Sequence, residues 1–453
     1  MTDLLYVSTL EKNLDDFNPD IRYDSLINLC ALADSGEIVI PEEQEIANLH
    51  CHTFFSYNGY GFSPSHLAWL GKKKGAKFMG IVDFDVLDGV EEFLDACETA
   101  GIRGTAGMET RVFIPEYQQM EINSPGEPGV SYHMGIGFTS ATAPSPEDEI
   151  LEDIRMRATQ RNLKVLERIN AYLNPLEMDY EADILPLTPN GNATERHMVI
   201  KIIEKAATQL EDVSQFWQEK LNMPAEKIRE SMQDAAAFQD LIRKKLIKRG
   251  GVGYVQPTAD TFPQIDEIHR VVLACDALPC VAWLDGTSPA EQHIEELLDY
   301  LIEKGATAIN IVPDRNWNIA DPQVKSTKMQ KLYEVVEAAI NMDLPIAVGT
   351  EMNSYGQKMM DDFHAPELAP VKESFIQGAY ILYAHTQLQR YWKMGYESSW
   401  ANQHFDSRSA KNDFFLQAGK IIPPQKKSEE AIKKISPMQA PDEVLMTMKT
   451  FQE

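Results

Sequence analysis

The sequence predicts an α/β fold, a barrel of parallel strands with a mostly helical insertion. Short apolar runs alternate with helix-like stretches over residues 46–145 and again over 264–420, the rhythm of βα units in a parallel sheet. Several of these runs end in His, Asp or Glu, and a parallel barrel collects its functional side chains at the C-terminal ends of its strands. Residues 146–263 break the alternation with charged, helix-patterned sequence. They read as an insertion over that face, a lid that sets specificity.

The elements follow in order. Residues 1–45 form a polar preamble of one or two helices, with Leu26, Leu29, Ala31 and Leu32 at helical spacing before Gly36 and Pro41. Ile-Ala-Asn-Leu-His-Cys-His-Thr at 46–53 is the first strand. Ser63 caps a helix that has Pro64 at its first position and runs to Gly75. Phe78–Asp85 is a second strand, ending in Asp83 and Asp85, and the helix after it is stopped by Gly101. Thr105–Thr110 is a third strand, carrying Glu109. A loop with Pro125, Gly126, Pro128 and Gly129 leads to a fourth, Tyr132–Phe138, carrying His133. After the insertion, strands at Pro279–Leu284, Ala308–Pro313 and Leu344–Glu351 alternate with helices. All are expected to be parallel. Residues 366–410 add helices, and 421–453 form a loosely held Lys-, Pro- and Met-rich tail.

Bulk properties narrow the function. At 453 residues the chain holds one large domain with an insertion, or two domains. A net charge of −27 argues against a nucleic-acid polymer as partner. The clusters Lys72-Lys73-Lys74 and Arg243-Lys244-Lys245 read as solvated helix faces. A small anionic substrate stays compatible, because a metal ion inverts the local potential. No apolar run is long enough for a bilayer, so no membrane is expected. The N-terminus lacks the pattern of a signal peptide. Five cysteines without a Cys-x-x-Cys pair argue against a disulfide framework, and the expected compartment is the cytoplasm. Nothing in these patterns fixes an oligomeric state.

Chemistry concentrates at the strand ends. Residues two apart on a strand share a face, so His50 and His52 present two imidazoles side by side. Imidazole is the commonest nitrogen ligand of transition metals. Two buried, hydrogen-bonded histidines would give the same pattern. Glu109, His133 and Glu351, in order at later strand ends, favour metal. Asp83 either orients a ligand histidine or caps the next helix. In the insertion, a polar loop from Leu187 runs into a helix at Arg196 and His197. Its backbone N–H groups could hold an anion, Arg196 could pair with phosphate, and His197 could complete the metal site or protonate a leaving group. A capped helix start with an exposed Arg and His is the alternative. Arg315, just after the sixth strand, is a candidate substrate contact. There is no Gly-x-Ser-x-Gly, P-loop or dinucleotide fingerprint.

The ordered set of His-x-His, an acid pair, Gly-x-Glu, His and Gly-Thr-Glu resembles the polymerase and histidinol phosphatase (PHP) family over about residues 46–140 and 265–365. The resemblance implies a distorted barrel of seven βα units, up to three metal ions and phosphoester hydrolysis. It assigns His50 and His52 to the opening motif, Glu109 to the bridging glutamate and His133 to the next strand's histidine. The closing Gly-Ser-Asp-x-His becomes Gly349-Thr350-Glu351-Met352-Asn353, with Glu351 as the oxygen ligand. Other positions depart from the pattern. The ligand after His52 falls at Tyr57 or Asn58, Thr-Asp-His becomes Val82-Asp83-Phe84, and Ala-His-Pro becomes Ala282-Trp283-Leu284. The ion implied at Asn58, Phe84 and Asn353 has therefore lost its ligands, leaving Asn58 and Asn353 as substrate contacts. His50, His52, Glu109 and Glu351 remain competent for zinc, manganese or iron, and Glu109 with His133 could hold a second ion.

The expectation is a cytoplasmic metal-dependent hydrolase with one or two divalent ions, specifically a phosphoesterase for a small phosphorylated substrate. His197 and Asp83 are its expected catalytic groups. Arg196, Arg315, Asn58 and Asn353 are its expected substrate contacts. Phe84, Trp283 and Asn353 motivate the alternative, a non-catalytic relative that binds a small anionic ligand.

Overall fold

Seven strands run in chain order through one sheet: β1 (Gln44–Cys51), β2 (Ala76–Phe84), β3 (Arg103–Phe113), β4 (Val130–Ile136), β5 (Leu278–Trp283), β6 (Ala308–Ile311) and β7 (Ile346–Val348). In this computed structural model, which describes residues 4–451, the sheet curls until its first and last strands meet. Residues 1–3 of the expected preamble and 452–453 of the expected tail lie outside the described residues. Just past β7, the Glu351 N–H donates to the His50 carbonyl and the His52 N–H donates to the Glu351 carbonyl, both at 2.7 Å. This parallel bridge nearly closes a TIM-like barrel, and helices join most of its strands as the alternation predicts.

One strand departs from the prediction. β4 runs antiparallel to both β3 and β5, while the other neighbours pair in parallel. A parallel crossover needs a long connection, usually a helix, whereas an antiparallel return does not. Residues 114–129 contain only a short 3-10 turn at Pro115–Tyr117. The chain turns back as an irregular hairpin, in which the Ile114 N–H donates to the Gly129 carbonyl at 2.8 Å.

Local signals act as the sequence suggests. Ser63 accepts from the His66 N–H at the start of the helix Pro64–Lys74, and Gly75 ends that helix in the left-handed region with φ of 65°. The barrel core extends beyond the strands. Leu14, Leu26 and Leu29 of the preamble are buried in it. So are Ile435, Val444 and Met448, on or beside the short helices Glu429–Lys434 and Pro441–Lys449. The segment expected as a loose tail is thus packed, because its sparse apolar residues sit at helical spacing. Among the described residues no helix is long and apolar enough to cross a membrane.

The insertion builds a core of its own from the helices Asp148–Leu173, Glu195–Gln209, Val213–Leu221, Ala225–Ser231 and Ala235–Ile242. Its centre is Trp217, with the Phe216 and Phe238 rings edge-on at 5.1 and 5.8 Å. The Asn192 side chain moors this unit to the barrel, donating to the carbonyls of Phe55 at 3.1 Å and Phe84 at 2.8 Å. Both carbonyls lie at or beyond the C-terminal ends of β1 and β2, so the insertion covers the strand ends that carry the polar residues.

The helix Lys372–Trp392 packs on β7 through Gly378, where a Cβ would come 2.1 Å from the Ile346 carbonyl oxygen. A single methyl there forces helix and strand apart. Gly378→Ala should cost about 1–3 kcal/mol, read as a lower urea midpoint with an unchanged slope. An unchanged midpoint would show that this contact does not set the packing.

Candidate metal centre and cavity

Three side chains converge at the end of β1 and, level with the end of β2, within β3. Glu109 Oε2 lies 3.6 Å from His50 Nε2 and 3.3 Å from His52 Nε2. All three residues are buried, and their ligand atoms lie within 4.8 Å of one another. The other ring nitrogens determine the tautomers. His50 Nδ1 is 2.9 Å from Asn310 Oδ1, which can only accept, so Nδ1 carries the proton. Ser56 donates its hydroxyl to Asp83 at 2.6 Å, and its oxygen then accepts from His52 Nδ1 at 3.3 Å. Both Nε2 atoms are left as buried lone pairs without hydrogen-bond partners, facing a carboxylate. Such a cluster is costly unless a cation joins it. Two imidazoles and a carboxylate fit zinc, manganese or iron.

Electrostatics point the same way. Burial would raise the Glu109 carboxyl, but His50 and His52 hold it down at about 2. Burial opposes a charge on His50, yet the Glu109 and Glu351 carboxylates raise its pKa above the ordinary value. Without metal a proton takes the cation's place, so metal and protons compete for this cluster.

The other expected ligands do not join it. His133 pairs in register with Thr110, next to Glu109, and so faces away from the site. Its Nε2 lies 2.8 Å from His269 Nε2, behind the sheet. The antiparallel course of β4 puts Tyr132, opposite Arg111, on the site's side instead. The Glu351 carboxylate is taken by Arg315 at 2.6 Å and receives Asn353 Nδ2 at 3.3 Å. Burial would raise its pKa, but Arg315 overcomes that and holds it low. Glu351 thus sits beside the triad in an ion pair. Where the PHP pattern has another histidine, the Phe84 ring stacks on His52 at 4.4 Å.

The two expected catalytic groups are both held by hydrogen bonds. Asp83 accepts from the Thr53 N–H and hydroxyl, both at 2.7 Å, and from Ser56, and acts on the site only by positioning His52 through Ser56. His197 closes a capping box, its Nδ1 accepting the Thr194 N–H at 3.0 Å. Its ring stands edge-on to Tyr57 at 5.1 Å, and burial alone pushes its pKa down to about 4. A histidine three residues into a helix can reach back to the cap, and that local bond prevailed here. Asn58 is likewise spent on the loop, donating to the His52 carbonyl at 2.8 Å and accepting from the Tyr60 N–H at 2.8 Å.

The remaining expected contacts line a cavity of about 1090 Å³ between barrel and insertion. His50, Glu109, Glu351, Arg315 and Asn353 are at its barrel end. Arg196 lines it too, 5.8 Å over the Tyr57 ring and 3.4 Å from Asp240. Ten Arg and Lys against seven Asp and Glu face this space, so it is locally cationic in a strongly acidic protein. Arg243 is among them, which corrects its reading as part of a solvated face, while Lys244 and Lys245 are exposed as expected. Arg243 instead turns inward to Glu195 at 2.5 Å.

His50→Ala or Glu109→Gln should abolish stoichiometric zinc or manganese in the purified protein, and Asp83→Asn should weaken metal affinity about 10–100-fold by freeing His52, both measured by metal analysis and competition with a chromophoric chelator. Undiminished affinity in Asp83→Asn would remove the link through Ser56. In the His133–His269 pair, His269 Nδ1 donates to the Lys304 carbonyl at 2.8 Å, so its Nε2 accepts from His133 and both rings stay neutral. Burial holds both pKa values below the ordinary range, aided at His133 by His269 and outweighing at His269 the Lys304 carbonyl and Asp266. The unfolded chain therefore binds protons first as pH falls. Stability should drop progressively below about pH 6.5. Replacing both histidines by leucine should flatten that part of the profile in urea titrations between pH 7 and 5.

No family model matches this chain, and no curated protein matches it. Among solved structures it is similar to an amidohydrolase from Chromobacterium violaceum with bound sulfate and no metal, at 14% identity over 73% of this chain and 96% of that one, with a TM-score of 0.48. It is also similar to a protein from Bifidobacterium adolescentis assigned as a metal-dependent phosphoesterase, at 16% identity over 74% of this chain and 97% of that one, with a TM-score of 0.44. The chemistry of the present site rests on its own residues.

Proposed function

We propose that this protein is a one-metal hydrolase that cleaves a phosphoester in a small anionic substrate. The observation that carries the reading is the pair of buried Nε2 lone pairs on His50 and His52, turned onto the ionised Glu109 by hydrogen bonds at their own Nδ1 atoms. A divalent ion held by these residues would activate water and offset charge on the substrate's oxygens. One ion is the reading because His133 faces away and Glu351 is paired with Arg315. Arg315 supplies a permanent positive charge where a second ion would otherwise act, and it keeps further N–H donors beyond the one given to Glu351. Tyr132, kept protonated by burial, offers a hydroxyl donor on the same side of the sheet. The cationic lining favours an anionic substrate, and the PHP motif order favours a phosphoester over a carbonyl substrate. The partner on this reading is a small molecule rather than a nucleic-acid polymer or a membrane. Five free cysteines suit a reducing compartment such as the cytoplasm.

The test is metal content followed by turnover. Protein purified without chelator should retain about one equivalent of transition metal and hydrolyse members of a phosphomonoester and phosphodiester panel. Glu109→Gln should abolish this, and Arg315→Ala should lower kcat by about 10²–10³. Less than about a tenth of an equivalent, with no rescue by manganese or zinc, would sink the enzyme reading. Substrate-analogue binding without turnover would favour the non-catalytic alternative.

A further inference from the structure

The metal centre occupies one end of the cavity, and a second polar cluster lies on the insertion side. Glu195, the first residue of the helix Glu195–Gln209, is gripped by Arg243 through Nη2 at 2.5 Å and Nε at 2.6 Å. Lys248 Nζ lies 2.7 Å from the same oxygen, and Arg161 reaches the other at 3.8 Å. Arg111 comes in from β3, stacked 4.2 Å over the Phe262 ring and 3.2 Å from Glu127. Four cations thus meet two carboxylates at ion-pair distance, while Asp240, which also faces Arg243, is shared with Arg196, and Asp85 faces Arg111 from the barrel side, so cations outnumber carboxylates here. The crowding is felt: burial, with Arg243 and Arg111 close by, keeps the Lys248 ammonium below its ordinary pKa despite Glu195. Removing like charges from water without enough counter-charge is unfavourable, and all four cations line the cavity, where an anion could reach them.

Nothing in the proposed hydrolysis uses this cluster. Tyr132 links the two ends, its ring 5.9 Å from the Arg111 guanidinium and its strand paired with that of Glu109. A cavity of about 1090 Å³ is at the top of the usual range for small-molecule sites, far larger than one phosphoryl group requires.

We infer that the substrate carries two anionic groups, and that Arg111, Arg161, Arg243 and Lys248 around Glu195 bind the second, a phosphate or a carboxylate, while the first lies at the metal. The inference rests on the one-metal reading for the first group, but the cluster itself does not. Glu195 holds the cations in place when the cavity is empty of substrate. The incoming anion adds to it and supplies the balancing charge. Arginine forks match either oxyanion bidentately.

Phosphonates test this without turnover. The manganese-loaded full chain is titrated calorimetrically with α,ω-alkane bisphosphonates of increasing length, with alkylphosphonates as one-anion controls. One length should bind at least about tenfold more tightly than its control. The double variant Arg243→Met, Lys248→Met should lose that advantage while its affinity for the control changes little. Glu195→Gln should bind the favoured bisphosphonate more tightly, a gain that a merely damaged fold cannot produce. ω-Phosphonocarboxylates of the favoured length separate a carboxylate-selective cluster, which binds them better, from a phosphate-selective one. The inference is overturned if no bisphosphonate exceeds its control, or if the advantage survives in the double variant. Failure of the metal reading appears separately, as control affinity that does not respond to adding or chelating manganese.

Discussion

The buried charge of Glu109 is the constraint around which this barrel end is arranged. A carboxylate removed from water must be matched closely or it destabilises the fold. Its partners are imidazoles on and just past β1, so the end of β1 and the middle of β3 must keep a fixed separation. β2 lies between them in the sheet, and its Phe84, in register with Glu109, fills the gap by stacking on His52. On the other flank, the backbone bonds between Glu351 and the His50–His52 segment seal the barrel. Asn48 reaches across the same seam to the Thr350 hydroxyl at 2.8 Å. Gly349 permits the approach, since a Cβ there would sit 2.5 Å from the His50 Cβ. Closure of the fold and placement of the ligands are therefore one piece of structure.

The course of a single strand then determines which side chains face the cluster. Side chains alternate across a strand, so which residue faces inward depends on register as much as on sequence. On β4 the antiparallel return pairs Met134 with Glu109 and leaves His133 on the outer face, hydrogen-bonded to another histidine. Tyr132, a neutral donor, takes the inner position. Arg315 similarly converts Glu351 from a free ligand into half of an ion pair. Both changes put a hydrogen-bond donor and a fixed cation where side chains able to ligate a metal were expected, beside the His50, His52 and Glu109 cluster.

Much of the fold was legible from the chain. All seven strands, the capping Ser63, the stopping Gly75 and the helical insertion follow from period, caps and composition. The direction of β4 did not, because apolar alternation is the same in either direction. The only cue was the helix-free loop at 114–129. In the site, His50, His52 and Glu109 were readable because ligand chemistry restricts residue type at strand ends. Asn310, Ser56 and Tyr132 were not, since Asn, Ser and Tyr are common polar residues whose role appears only when the strands are brought together. The place of His197 could not be read, because its polar loop suits anion binding and capping equally well, and only the folded chain shows its Nδ1 bonded to Thr194.

The insertion also resolves an apparent conflict in charge. A net charge of −27 should repel an anion, yet the cavity collects Arg and Lys from both units. Range decides which prevails. At physiological ionic strength, surface charges are largely screened beyond about 8 Å. Arg111, Arg161 and Arg243 lie with most of each side chain out of solvent, where screening is weak and the effective dielectric is lower. The acidic exterior opposes long polyanions, whose charges must spread across the surface. It has far less hold on a small anion already inside the cavity. The cations come from the barrel, as Arg111 and Arg315, and from the insertion, as Arg161, Arg196 and Arg243, so the positive lining exists only where the two meet.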